Sequence, residues 1–365
     1  MDKNTKEKNA AGNNPLLAPY GTPFGAVPYD RITLEHFVPA VKECIRKEEE
    51  IIEEICNNSE KATFENTIAR FDYSDTELTT IVCSFNALIN ARSYDEILAI
   101  EEEIQQLCTR HHNNISLNER LFARIKEVYD TDNSHLDKAQ KRLLEQTYAS
   151  FVRGGANLKG EKRDKYRELT ERLTTLSLKF QENCIKDTDA YTLNLTDGRD
   201  LEGLPADVIE AAANLAKENG NEGWTFTLHR PSYLPFITYC RNRGLRKQMY
   251  MAYNTIGAKG NSHDNRAIVK EIVNKRLELA RLLGYNTYSD YILTERMAQN
   301  TDAVFSMLGK LTWSYLPAAR QEMDEIVEYA KKNEGKDFQL ERWDFAYYSE
   351  KLKEEKYNLN DEVVR

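Results

Sequence analysis

Trp224-Thr225-Phe226-Thr227-Leu228-His229-Arg230-Pro231-Ser232-Tyr233-Leu234-Pro235-Phe236 opens the stretch, ending at Tyr291, around which the chain is organised. Trp224 to Leu228 has the composition of a strand. His229-Arg230-Pro231-Ser232 leaves it as a structured connection able to set a polar group in a cleft. A helix follows through Tyr239 and Arg246 to Tyr253, then a small-residue loop, Gly257-Ala258-Lys259-Gly260-Asn261. After Asp264-Asn265 a second helix carries Ile268, Val269, Ile272, Val273, Leu277, Ala280 and Leu283. Their spacing of three and four residues predicts one buried stripe. Gly284 stands where a left-handed residue would end that helix.

Upstream, the pattern is helical. Thr33 starts a helix with Phe37, Val41, Ile45, Ile52 and Ile55 on its buried face, Pro39 being tolerable only near the first turn. Thr63 to Asn90 predicts a second long helix, and Asp95 to His111, Leu117 to Tyr129 and Asp137 to Val152 predict three more. This is a stack of antiparallel helices with short connections and no fixed repeat. Gly154-Gly155 marks a hinge or tight turn. A long helix from Glu161 to Asp187 follows, after which the period changes. Ala190 to Thr196 alternates every two residues and is expected to pair with Trp224 to Leu228 in a small sheet. Leu204-Pro205 starts a short helix ending at Gly220.

Downstream, Thr287 to Met297 is a short helix. Thr301-Asp302 caps another, with Val304, Leu308, Leu311 and Tyr315 inward, a kink at Pro317 and an end at Gly335. Leu340 to Tyr357 carries Trp343, Tyr347, Tyr348 and Leu352. The fold class is mostly α, stacked antiparallel helices with one small β hairpin or sheet. Residues 1–14 form an expected disordered tail, 15–153 a helical domain, 154–237 a long helix with the β element, and 238–365 a further domain.

Composition narrows the function. The 365 residues carry a net charge of −9, with 30% charged and 41% apolar residues. An acidic balance argues against nucleic acid as a partner, because phosphate binding needs a basic stripe. The clusters Lys159 to Arg167 and Arg241 to Lys247 read as solvated helix faces. No run approaches ~18 consecutive apolar residues, so no membrane span is expected. Met1 to Asn14 lacks an apolar core, so the chain as given carries no expected signal peptide, leaving cytoplasm or periplasm as compartments. Six scattered cysteines, with no C-x-x-C, read as free thiols in helical stripes.

No catalytic constellation is complete. There is no H-E-x-x-H, no G-x-S-x-G, no P-loop and no Rossmann glycine run. The six histidines offer no pair three or four residues apart, so no catalytic and no metal residue is assigned in this chain. His111-His112 reads as a helix C-terminus facing solvent. Three features stand above background: Arg230, the loop of Gly257 and Gly260, read as mobile, and Tyr347-Tyr348, read with Trp343-Asp344 as the lining of a groove.

The chain resembles the N-terminal half of the thimet-oligopeptidase-like zinc peptidases, and within them the bacterial peptidyl-dipeptidase branch. The resemblance rests on Asn14-Pro15-Leu16-Leu17, Glu35-His36-Phe37-Val38-Pro39-Ala40, Thr63-Phe64-Glu65-Asn66-Thr67-Ile68 and Phe151-Val152-Arg153-Gly154-Gly155-Ala156. It continues through Leu201-Glu202-Gly203-Leu204-Pro205, Gly223 to Leu228 with Pro231-Ser232, Leu282-Leu283-Gly284-Tyr285 and Trp343-Asp344-Phe345-Ala346-Tyr347-Tyr348. It implies one lobe of a two-lobed channel peptidase, with 238–365 as the start of the catalytic domain. It implies zinc in the complete enzyme, none bound to this chain, and short peptides as substrates that lose C-terminal dipeptides. Arg230, Tyr347 and Tyr348 would stand in the channel wall. The family's zinc ligands lie beyond Arg365, so this chain is expected to be inactive alone and to pair with a missing C-terminal half. Its exposed apolar face would otherwise favour self-association. The alternatives are a non-catalytic helical module that binds peptide or protein, and an endopeptidase of the same family.

Overall fold

The computed structural model describes residues 14–91 and 95–359. The tail expected at 1–14 lies outside them except for Asn14. That side chain is buried, donating to the His36 carbonyl at 2.7 Å and accepting the Leu16 N–H at 3.0 Å. Contacts divide the chain into two units, Met1–Leu178 with Ile272–Tyr288, and Lys179–Glu271 with Ser289–Arg365.

The first unit is built on α1 (Phe37–Asn57), whose buried face runs Phe37, Ala40, Val41, Cys44, Glu48, Ile52 and Ile55. Its first half packs on α2 (Thr76–Ala91) and α3 (Asp95–Ser116) through Phe85, Ile81, Ile97 and Ile104. Its second half meets α4 (Glu119–Asp130) and α5 (Lys138–Arg153) through Leu121, Ile125, Leu144 and Phe151. Local chemistry sets the starts. Asn118 accepts the Arg120 and Leu121 N–H groups, and Asp137 with Gln140 forms a capping box. At the Gly154-Gly155 turn the Ala156 N–H reaches the Phe151 carbonyl and the Gly155 N–H that of Val152, a Schellman closure.

The helix expected over 63–90 is broken. Phe64–Ala69 is a π-helical segment, Arg70–Asp72 a single turn, and α2 starts afresh at Thr76. Ser74 Oγ donates to the Phe71 carbonyl and Thr76 Oγ1 to that of Tyr73, so side chains take bonds the helix would have used.

In the second unit β1 (Thr192–Leu195) pairs antiparallel with β2 (Trp224–Thr227), Leu193 opposite Phe226. The two strands expected to pair therefore meet as a two-stranded sheet, joined through a helix and not by a hairpin turn. α6 (Glu161–Asp189) leads into β1, and α7 (Ala206–Glu218) covers β2. α8 (Arg230–Tyr239) and α9 (Arg243–Asn254) close the core with Tyr233, Phe236, Cys240 and Met249. α10 (Arg266–Leu282), whose residues from Ile272 on belong to the first unit, ends before Gly284 at φ +90°, the stop its position predicts. α11 (Tyr288–Leu293), α12 (Thr301–Glu334) and α13 (Phe345–Tyr357) complete the described chain.

Two expectations fail at α12 and α10. α12 continues through Pro317 to Glu334. Leu308, Leu311 and Tyr315, expected inward, are exposed, and so is every residue from 305 to 324, Trp313 at 85%. Val269 and Val273 of the α10 stripe are exposed too. Periodicity reports that a face is apolar; it does not supply a cover. Among the described residues, cover exists only where Ile326 and Ala330 meet Tyr348 of α13. No helix among them is long and apolar enough to cross a membrane.

Gly223 shows how closely β2 is set against β1. Its φ is +87°, and a Cβ there would lie 2.1 Å from the Leu195 carbonyl oxygen. Gly223→Ala is expected to cost about 3 kcal/mol in urea unfolding, combining an unfavourable φ with a backbone clash. Gly198→Ala, with nothing within 4 Å of the added carbon, should cost less than about 1 kcal/mol.

Candidate functional site

The second unit assembles its polar interior around Asp344. This carboxylate is wholly buried at the turn Arg342–Asp344 that leads into α13. It accepts Arg243 Nε at 3.1 and 3.0 Å and Arg243 Nη2 at 2.7 Å. Arg246 Nη2 adds a bond at 2.8 Å and the Glu341 N–H another at 3.1 Å. Burial pushes the Asp344 pKa up, but the two guanidinium groups and the backbone N–H outweigh it, leaving the carboxyl below its ordinary range.

Arg246 is equally buried. Its Nη1 donates to the Cys240 and Arg241 carbonyls at 2.9 and 3.0 Å. Its guanidinium lies 4.1 Å from the Tyr347 ring centroid. Lys247 sits 4.8 Å over Trp343. The expected aromatic lining thus divides by role. Tyr347 is half-buried over Arg246, whereas Tyr348 is buried against Phe338 and Ile326 in the core of α12 and α13. Burial, with a hydrogen bond to Glu334, raises the Tyr348 pKa.

Arg230 is the first residue of α8, and α8 packs on α13, which carries Tyr347. The guanidinium is exposed and forms no ion pair among the described residues. It borders an open cavity of 510 Å³ lined by Val208, Ala211, Pro231, Leu234 and Pro235, with Asp207 beside it. An unpaired arginine at the lip of an apolar recess suits a carboxylate attached to an apolar group.

The small-residue loop carries a polar anchor that sequence reading missed. Asp187, buried at the end of α6, accepts the Gly257 N–H at 2.8 Å and Asn261 Nδ2 at 2.8 Å, and pairs with Lys259 at 3.1 Å. Gly260 donates to Asp264 at 2.7 Å. Burial raises the Asp187 pKa, and these donors bring it below the usual range. Gly257, Gly260, Arg230 and Tyr347 belong to one unit, but the loop is tied to α6 and the other two to α8 and α13.

Among the described residues no three His, Cys, Asp or Glu side chains stand where a metal ion could be held.

Residues 236–365, which contain Arg243, Arg246, Asp344 and Tyr347, match the model of Peptidase family M3. The chain is 32% identical over 357 residues to Oligopeptidase A of Escherichia coli, covering 96% of this chain and 52% of that protein. It is 30% identical to Dipeptidyl carboxypeptidase of Salmonella typhimurium, with the same two coverages. It is also 30% identical to the organellar oligopeptidase A of Arabidopsis thaliana, covering 97% of this chain and 45% of that protein. The likeness to these peptidases runs along nearly the whole chain, and the match to Peptidase family M3 lies in its last 130 residues. The chain spans about half the length of the curated relatives it matches.

Within the matched residues 236–365, the Asp344 cluster is the polar anchor. Asp344→Ala leaves Arg246 buried without its charge partner and is expected to cost about 3–5 kcal/mol in urea unfolding at pH 7. A carboxyl held low in the folded state stabilises above the ordinary aspartate value near ~3.9 and loses that contribution as pH falls through the folded value. The gap between wild type and variant should therefore narrow below about pH 4.

Proposed function

We propose that this chain is the N-terminal portion of a peptidase that hydrolyses short unstructured peptides and releases C-terminal dipeptides. The observation that carries the reading is the 32% identity to Oligopeptidase A and 30% to Dipeptidyl carboxypeptidase across nearly the whole of this chain. In this reading the portion forms a wall of the substrate channel and is inactive alone. Arg230 and Tyr347 face the peptide, Tyr348 stands behind Tyr347, and the loop of Gly257 and Gly260 moves when Asp187 lets it go. The Arg230 cavity supports a role in gripping a peptide carboxylate.

Zinc belongs to the complete enzyme, and its ligands are supplied outside the described residues. When bound it would polarise a peptide carbonyl and activate water. The contribution of this chain's residues is to bind and orient the peptide and to restrict access by width.

The test is hydrolysis of a short peptide followed by mass spectrometry. The product of the uninterrupted reading frame is expected to release C-terminal dipeptides, and the 365-residue chain to leave the peptide intact. Hydrolysis by the chain alone would contradict the reading, and internal cleavage by the longer product would favour an endopeptidase. A second expectation follows from α12. Apolar surface of that extent is covered in stable proteins, so the isolated chain should self-associate and bind a dye for apolar surface. A monodisperse monomer in light scattering with no dye binding would contradict this.

A further inference from the structure

The Asp187 carboxylate is 2% exposed and stands in the last turn of α6, which ends at Asp189. This is the negative end of a helix dipole, so a buried anion there is unfavourable twice over. Among the described residues, every donor that answers it comes from the stretch Gly257 to Asn261. Oδ2 accepts the Gly257 N–H at 2.8 Å and lies 3.1 Å from Lys259 Nζ. Oδ1 accepts Asn261 Nδ2 at 2.8 Å.

The stretch is firm at one end and loose beyond it. Gly257 is fixed on both sides: its N–H is on Asp187, and its carbonyl accepts the Asn265 N–H at 2.7 Å. At its φ of +70° an added Cβ would stand 2.9 Å from Asn265 Nδ2. Asn265 is itself anchored to α6, donating Nδ2 to the Phe180 carbonyl at 3.0 Å and accepting Asn183 Nδ2 at 2.9 Å. Gly260, at φ +74°, is uncrowded, the nearest atom to an added Cβ being Arg266 Nη2 at 3.7 Å. Its N–H bonds Asp264 at 2.7 Å, and the His263 N–H bonds Asn261 Oδ1 at 3.0 Å, both within the loop. Residues 258–262 are exposed. Lys259 nonetheless turns its side chain inward, with its ammonium 5.8 Å from the Tyr191 ring centroid. A lysine on an exposed turn keeps its charge in water unless a specific partner draws it in.

We propose that residues 259–263 form a flap held shut by one charge, with Lys259 and Asn261 as its latch on Asp187 and Gly257 as its fixed pivot. With the ammonium gone, the closed flap would bury an anion at a helix C-terminus with no cation beside it. The flap then swings out, bending at Gly260, and water reaches Asp187. This gives the movable loop of the proposed function its control, and its test reads the loop without any peptide, so its failure leaves the peptidase reading standing.

The test is hydrogen–deuterium exchange with mass spectrometry on the 365-residue chain near neutral pH. It is read on peptides covering 256–265, with β1 as the reference. Lys259→Met keeps the apolar stem and removes the charge; it should speed exchange of the loop amides roughly tenfold while β1 stays slow. Because Lys259 stands on an exposed turn, this variant tests the latch without disturbing the buried carboxylate. Lys259→Arg keeps the charge and should restore the protection. Asp187→Asn keeps an acceptor for the Gly257 N–H and should speed the loop as Lys259→Met does. The two changes together should add little to either alone, as members of one pair. Four results would overturn the proposal: a loop that exchanges freely in the wild type, no acceleration in Lys259→Met, equal acceleration of β1 and the loop, or fully additive effects in the double variant.

Discussion

A buried carboxylate between two arginines holds the second unit in register. Asp344 brings together the start of α13 and residues a hundred positions earlier, because Arg246 can be buried only against an opposite charge, while the half-exposed Arg243 adds a second partner. Once Arg246 is fixed, its remaining hydrogen bonds tie the end of α8 to α9, and its face supports Tyr347. The sheet core of Phe226 and Phe236 lies beneath the same helices. The local order of this unit therefore runs through one charge cluster, and the exposed Arg230 is presented from a helix that the cluster holds in place.

Against that well-satisfied interior stands α12. From residue 305 to 324 it exposes Phe305, Met307, Leu308, Leu311, Trp313, Tyr315, Leu316 and Met323. An amphipathic helix ordinarily turns its apolar face to a core. The chain spans about half of relatives such as Oligopeptidase A, and the function proposed above gives this face a cover in the rest of the protein. The first unit has no such deficit at α1, whose face is closed by α2, α3, α4 and α5.

Much of this was legible in the sequence for physical reasons. Alternation from Ala190 to Thr196 and the β-rich run at Trp224 report a pleated, half-buried surface, and the two do pair. Gly284 announces a helix end because its conformation favours glycine. Less legible was anything decided by partners far along the chain. His111, one of two adjacent histidines, reads as a frayed end until Glu48, 63 residues earlier, is seen beside it. Asp344 is one acid in an aromatic run, and nothing local names its arginines. The same limit explains α12, whose inward-looking stripe of Leu308 and Leu311 was visible while the absence of a cover was not. At Tyr348 the residue was noticed, but its burial depended on Ile326 and Phe338.

The claim on which the account turns is that the apolar face of α12 is an interior surface in the protein as its source cell makes it. Hydroxyl-radical footprinting of Phe305, Met307 and Trp313 tests this, comparing the protein purified from that cell with the isolated 365-residue chain. The account predicts strong protection of all three in the cellular protein and heavy labelling in the isolated chain. Equal, heavy labelling in both, with the cellular protein monomeric, would contradict it.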